Sequence, residues 1–180
     1  MISYISKLIL KIMGWKQMGV LPDLKKYIVI AAPHTSNWDY VIGRLFYLSR
    51  GVDSKIMIKK ELFYFPLGPL LTALGGIPVD RYGKTDIVDQ MIRQFQLEDS
   101  FILTITPEGT RQKVTDWKTG FHRIAVGAGV PVLQGFFDYE KKLVGTGELL
   151  YMTDDLESDM LKIKKFYSDK VPKYPEKFSV

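Results

Sequence analysis

Hydrophobic and polar positions follow two alternating patterns through most of the chain. Short uninterrupted apolar runs recur, and most are followed by a stretch whose apolar residues repeat every three or four positions. The first pattern is typical of strands buried on both faces, and the second is typical of amphipathic helices. The predicted strands are 27–32, 55–59, 76–81, 100–106, 130–137 and 142–147. The predicted helices are 37–50, 84–99, 120–129 and 155–168, with short helical turns over 62–76 and an extended tail.

This alternation predicts an α/β fold, a single domain with a mainly parallel (mixed) sheet flanked by helices. We find no internal repeat, linker or change of composition that would divide the chain. In such sheets, ligand sites tend to lie just beyond the carboxyl ends of the strands. Two polar motifs follow predicted strands in that way, PHTSNWD at 33–39 and TPEGTR at 106–111.

The N-terminal segment, residues 1–20, is predicted to contain an amphipathic helix ahead of a main domain at 21–180. Its isoleucines share one side of a helical wheel, while Lys7 and Lys11 lie on the other. This pattern fits a helix that rests on an anionic membrane surface, and equally a helix that packs on its own domain. No stretch approaches the roughly 18–20 apolar residues of a membrane span.

Composition excludes several kinds of functional site. The 180 residues include no cysteine and two histidines, which excludes disulfides, a thiolate metal site and a cysteine nucleophile. There is no G-x-S-x-G nucleophile elbow and no motif of a nucleic-acid-binding fold. A net charge of +5 favours an anionic partner. Because the sequence carries no nucleic-acid-binding motif, we do not expect this partner to be nucleic acid.

The motif PHTSNWD has two interpretations. If Ser36 caps the following helix, Asp39 occupies its third position, which makes a capping box that does not require His34. Alternatively, the turn brings Asp39 back to His34, so that the carboxylate orients an imidazole that acts as a general base. Both interpretations can hold together, because a capped helix start is a rigid mount for a carboxylate.

Cationic side chains recur after the other predicted strands. Arg111 offers a planar set of donors suited to phosphate, and Gly109 lets the backbone approach a ligand closely. Arg81 follows the short strand at 76–81, and Lys60 follows the strand at 55–59. In isolation each is equally typical of a solvated surface charge.

Taken in order, His34-x4-Asp39, GGIPVDR, EGTR and VPV resemble the glycerolipid acyltransferase family. Its members include lysophosphatidate (1-acylglycerol-3-phosphate) and glycerol-3-phosphate acyltransferases. The resemblance runs from about residue 28 to residue 137 and is to the compact branch without a transmembrane span. Pro33, Pro78 and Gln134 depart from the usual motifs, which leaves the acceptor open.

The resemblance implies acyl transfer from an acyl-CoA or acyl carrier protein thioester to a hydroxyl of a phospholipid-like acceptor, with 1-acylglycerol-3-phosphate as the first candidate. His34 would be the general base and Asp39 the acid that orients it. No cofactor or metal is implied. The residues implied to bind the substrate are Lys60, Arg81, Glu108, Gly109, Thr110 and Arg111.

The expected location is the cytoplasm. This prediction extends to peripheral contact with the cytoplasmic face of an anionic membrane. Two alternatives remain open at the level of the sequence. One is a thioesterase on the same scaffold, in which water replaces the acceptor. The other is a non-catalytic basic module that binds a membrane surface.

Overall fold

Seven strands form one sheet in the computed structural model, which describes residues 1–80 and 86–180. The strand order is β1-β7-β6-β2-β5-β3-β4, and every pair is parallel except β6 with β7. The predicted fold class, an α/β domain with a mainly parallel, mixed sheet, is confirmed. The strands are β1 (Lys16–Met18), β2 (Lys26–Ala32), β3 (Lys55–Lys59), β4 (Gly76–Val79), β5 (Phe101–Ile105), β6 (Val132–Asp138) and β7 (Leu143–Leu150).

Helices cover both faces of this sheet. None of those in the described ranges is long and apolar enough to cross a membrane. Short 3₁₀ turns lie at Lys60–Leu62 and Pro175–Lys177. The α-helices are α1 (Ile2–Ile12), α2 (Asn37–Ser49), α3 (Leu67–Ala73), α4 (Ile87–Leu97), α5 (Gly120–Ala128) and α6 (Leu156–Tyr167).

The central strand β2 shows why its sequence is uninterruptedly apolar. Ile28, Ile30 and Ala32 pack into one core with residues of α4, α5 and α6. Val29 and Ala31 point to the opposite face and pack into a second core with residues of α1 and α2. Because both faces are buried, the strand has no position at which a polar side chain would reach water.

The N-terminal segment differs in part from its prediction. Helix α1 ends just before Gly14, whose φ is +78°, and Lys16–Met18 then forms β1 in parallel with β7. Leu10 is fully buried in the core beneath α2. The isoleucines that share the predicted apolar side remain exposed, so α1 packs on the domain and also presents apolar side chains to solvent.

Strand pairing brings the two polar motifs together. β2 and β5 are parallel neighbours, with Ile30 opposite Ile105, so their carboxyl ends lie at the same edge of the sheet. The segments that begin at Pro33 and Thr106 leave this edge side by side. β3 and β4 follow β5 in the sheet and end progressively farther from β2.

Candidate active site

His34 and Asp39 are in contact, as the sequence predicts. His34 Nδ1 lies 3.2 Å from Asp39 Oδ2. The carboxylate is 1% exposed, whereas the histidine remains partly open. With Nδ1 directed at a carboxylate, the imidazole presents Nε2 as the nitrogen that can accept a proton.

The helix-capping interpretation of the same motif is also confirmed. Ser36 is the N-cap of α2, its Oγ accepts from the Trp38 N–H, and Asp39 completes the capping box. Asp39 Oδ2 accepts from the backbone N–H groups of Thr35 and Ser36 at 2.8 and 2.7 Å. The bonds that cap the helix therefore also fix the carboxylate that faces His34.

Tyr139 completes the environment of Asp39, and the sequence did not indicate it. Its hydroxyl donates to Asp39 Oδ1 at 2.5 Å. Burial, followed by the hydrogen bond to this carboxylate, raises the pKa of Tyr139. The two residues are 100 positions apart, so no local sequence pattern could connect them.

Glu108 is a buried part of the loop that follows β5. Its Oε1 accepts from the backbone N–H of His34 at 2.8 Å, and its side chain is 4% exposed. Burial raises the pKa of Glu108 to about 7. Its Oε2 has no hydrogen-bond partner among the described residues, which suits a protonated carboxyl better than a charged one. The contact that the structure shows for Glu108 is with the backbone of His34, and the residue is absent from the cavity lining described next.

A cavity of about 680 Å³ opens at the His34–Asp39 pair. This volume lies within the range typical of sites for small ligands, roughly 300–1,000 Å³. Arg111 and Lys118 contribute positive charge to its lining. Apolar side chains form much of the remaining wall, among them Ile56, Val79, Ile87, Ile105 and Phe121.

The glycine of TPEGTR is favoured by its left-handed backbone conformation. Gly109 has a φ of +66°, and a Cβ at this position would lie 2.8–2.9 Å from the end of the Lys118 side chain. Thr110 lines the cavity beside it, as the resemblance implies for this turn. Lys118 was missed by the sequence prediction. Its backbone N–H bonds the Pro107 carbonyl, a contact across the loop that only the fold reveals.

The structure describes one of the two other predicted cationic residues, Lys60. Lys60 does not reach the cavity lining. Its side chain is 66% exposed and its Nζ lies 3.8 Å from Asp80 Oδ2. Arg81 lies outside the described residues.

The surroundings of the second histidine, His122, indicate a structural role. It is buried in α5, and its Nε2 lies 3.2 Å from Asp159 Oδ2 in α6. The same Asp159 oxygen accepts from the backbone N–H of Thr153 at 2.6 Å. Within residues 1–80 and 86–180, no group of three or more His, Asp or Glu side chains is arranged to hold a metal ion.

Comparisons with known proteins identify similarities of fold and family. The fold is similar to the crystal structure of the 1-acyl-sn-glycerophosphate (LPA) acyltransferase PlsC from Thermotoga maritima, with a TM-score of 0.65 and 18% identity, covering 92% of this chain and 75% of that chain. At this identity the similarity shows the fold alone. A search of curated proteins finds no match. A family model described as Acyltransferase matches residues 16–134, which include both polar motifs and more than half of the sequence. The chain belongs to the Acyltransferase family.

Proposed function

We propose that this acyltransferase moves a fatty acyl group from acyl-CoA or acyl carrier protein to a hydroxyl of a lysophospholipid-like acceptor, with 1-acylglycerol-3-phosphate as the first candidate. The observation that carries the proposal is the His34–Asp39 pair in the lining of a cavity that Arg111 also lines. Such a cavity combines a base, a cationic group and apolar walls. An acceptor with a hydroxyl, a phosphate and an acyl chain requires all three.

In the proposed reaction, His34 Nε2 removes the proton from the acceptor hydroxyl as its oxygen attacks the thioester carbonyl carbon. The tetrahedral intermediate then collapses, the carbon–sulfur bond breaks, and the thiolate leaves with the proton from the imidazolium. Asp39 stabilises the imidazolium while it exists. General base catalysis of this kind typically contributes about 10²–10⁴-fold to the rate.

Arg111 and Lys118 are the proposed ligands of the acceptor phosphate. Both line the cavity, and no carboxylate in the described part of the chain forms a salt bridge with either of them. An arginine can bind a phosphate through two parallel hydrogen bonds, and a lysine adds a point charge. Arg81 and Lys60 remain predicted further ligands, of which Lys60 is exposed and does not line the cavity.

The proposed site of action is the cytoplasmic face of a membrane. Substrates of this kind are amphiphiles that partition into bilayers. Helix α1 exposes Ile2, Ile5, Leu8 and Ile12, and its lysines would face anionic headgroups. We therefore expect α1 to lie in the membrane interface while the domain remains outside the bilayer.

Analysis of the reaction products tests this proposal. Palmitoyl-CoA and palmitoyl acyl carrier protein would each be incubated with lysophosphatidate, glycerol 3-phosphate or lysophosphatidylcholine, and the lipids identified by mass spectrometry. We expect phosphatidate from lysophosphatidate, with less product from an acceptor whose phosphate carries a choline. Free palmitate without any acylated acceptor would instead identify a thioesterase and overturn the proposal.

A further inference from the structure

We propose that Tyr139 is a positioning residue for this reaction, acting through Asp39 to set the pH range in which His34 serves as a base. The inference rests on the proposed function, because it assigns His34 the role of general base. It concerns a residue outside both polar motifs. The hydrogen bond from Tyr139 to Asp39 is the observation from which it starts.

Asp39 has a distinct set of partners at each oxygen. Oδ2 accepts two backbone N–H groups and faces His34, whereas Oδ1 accepts the hydroxyl of Tyr139. The carboxylate is almost fully removed from solvent. A buried carboxylate depends on such donors for its orientation and its charge, since water cannot replace them.

Tyr139 is itself held in place from several directions. It directly follows β6, the neighbour of β2, so the sheet delivers it to the edge where His34 lies. Its backbone N–H donates to the Val171 carbonyl at 2.8 Å. Its ring packs edge-on against Trp15, with ring centres 4.9 Å apart. The hydroxyl is therefore positioned by the fold before any substrate binds.

The hydrogen bond has a definite electrostatic consequence. A hydroxyl that donates to Oδ1 draws carboxylate charge away from Oδ2, the oxygen that faces His34. If the donor is removed, more negative charge faces the imidazole and favours its protonated form. The other titratable groups near Tyr139 and Asp39 are Glu108, through the His34 N–H, Tyr174, near Tyr139, and Lys142, whose Nζ lies 5.9 Å from the centre of the Tyr139 ring.

The first test is the pH dependence of kcat/KM in Tyr139→Phe, which keeps the ring and removes the hydroxyl. We expect the acid limb to move upward by about half a pH unit or more, and kcat to fall roughly tenfold with KM for both substrates little changed. Tyr151→Phe is the matched control, because this tyrosine is 69% exposed on the protein surface. If the acid limb of the kcat/KM profile does not shift in Tyr139→Phe, Tyr139 has only a structural role and the inference is overturned.

A second readout requires no substrate. Labelled imidazole groups would be titrated by NMR in wild type and Tyr139→Phe, with His122 as an internal reference. We expect the titration midpoint of His34 to rise in the variant while that of His122 stays in place. An unchanged His34 midpoint would overturn the inference even if acyl transfer is demonstrated. A shifted midpoint in a protein that transfers no acyl group would leave the Tyr139–Asp39–His34 coupling intact and refute the proposed function alone.

If circular dichroism shows that Tyr139→Phe does not fold, 3-fluorotyrosine would be incorporated at position 139 and the same measurements made on that protein. The fluorine makes the hydroxyl a stronger donor and preserves its contacts. We then expect both the acid limb and the His34 midpoint to move downward. Movement upward, or none, would contradict the proposal.

Discussion

At the scale of single residues, burial determines the charge of Glu108. The carboxyl is enclosed next to the His34 loop, has one donor at Oε1 and has a pKa of about 7 in place of 4.5. Between these two values the unfolded chain has released the proton while the folded protein still holds it. The folded state therefore loses stability relative to the unfolded state as the pH rises from about 4.5 to about 7.

Glu108→Gln should remove this pH dependence, because the amide mimics the protonated carboxyl and does not titrate. We expect wild type to lose up to about 3 kcal/mol relative to the variant between pH 4.5 and pH 7.5. Urea unfolding of both proteins at several pH values measures the difference. Parallel stability curves would show that Glu108 titrates normally.

Arg111→Ala and Lys118→Ala should each weaken binding of a phosphorylated acceptor. We expect KM for lysophosphatidate to rise about tenfold or more, as for the loss of a charge-assisted hydrogen bond, with kcat less affected. Steady-state kinetics against lysophosphatidate and against a neutral acylglycerol separates this effect from general damage. An equal loss with both acceptors would count against a phosphate site.

The sequence predicted the contact between His34 and Asp39 because both belong to one short motif that also caps a helix. Tyr139 and Lys118 were not predicted, since strand pairing and loop closure bring them to the site. Lys60 does not line the cavity, and its predicted contact with the substrate stays a prediction.

At the scale of elements, the start of α2 links stability to catalysis. The Ser36 side chain accepts from the Trp38 N–H, and the carboxylate of Asp39, three residues after Ser36, accepts in turn from the Ser36 N–H. A disturbed cap should therefore also disturb the carboxylate of Asp39, which the proposed function makes the partner of His34. Most strands and helices were predicted well by apolar runs and helical spacing, but β1 was missed. It has three residues, none fully buried, and its strand character comes from pairing with β7.

Ser36→Ala should cost about 1 kcal/mol of unfolding free energy, as is typical for loss of an N-cap, and should lower kcat as well. Asp155→Ala is the control, because Asp155 caps α6 through the Ser158 N–H, in a helix that the catalytic motif does not include. We expect a similar loss of stability there with unchanged activity. If Ser36→Ala and Asp155→Ala have the same kinetics, the α2 cap does not influence the candidate active site.

At the scale of the whole molecule, helix α1 is one of the features that leave several apolar side chains uncovered. It is anchored by Leu10 and by the Ser3 hydroxyl, which donates to the Ser49 carbonyl. The sequence could predict the amphipathic pattern but not which side faces the domain. In the structure, Ser6 and Leu10 lie on the inward side, and the isoleucines point outward.

Ile5→Glu combined with Ile12→Glu should release the protein from anionic vesicles, because both exposed side chains would enter the apolar layer of the interface. Flotation with phosphatidylglycerol vesicles measures the bound fraction. Leu161→Glu is the control, since Leu161 is equally exposed but lies on α6. Equal release by the control would point to a general charge effect, and unchanged binding of the double variant would exclude α1 as the contact.

The central claim is that His34 removes a proton from an acceptor hydroxyl, which then takes the acyl group from a thioester. The most direct test measures thiol release from palmitoyl-CoA with and without lysophosphatidate, for wild type and His34→Ala, and repeats it with palmitoyl acyl carrier protein. The account predicts release that depends on the acceptor in wild type and falls by at least about 10²-fold in the variant. Acceptor-dependent release at the wild-type rate in His34→Ala would contradict it.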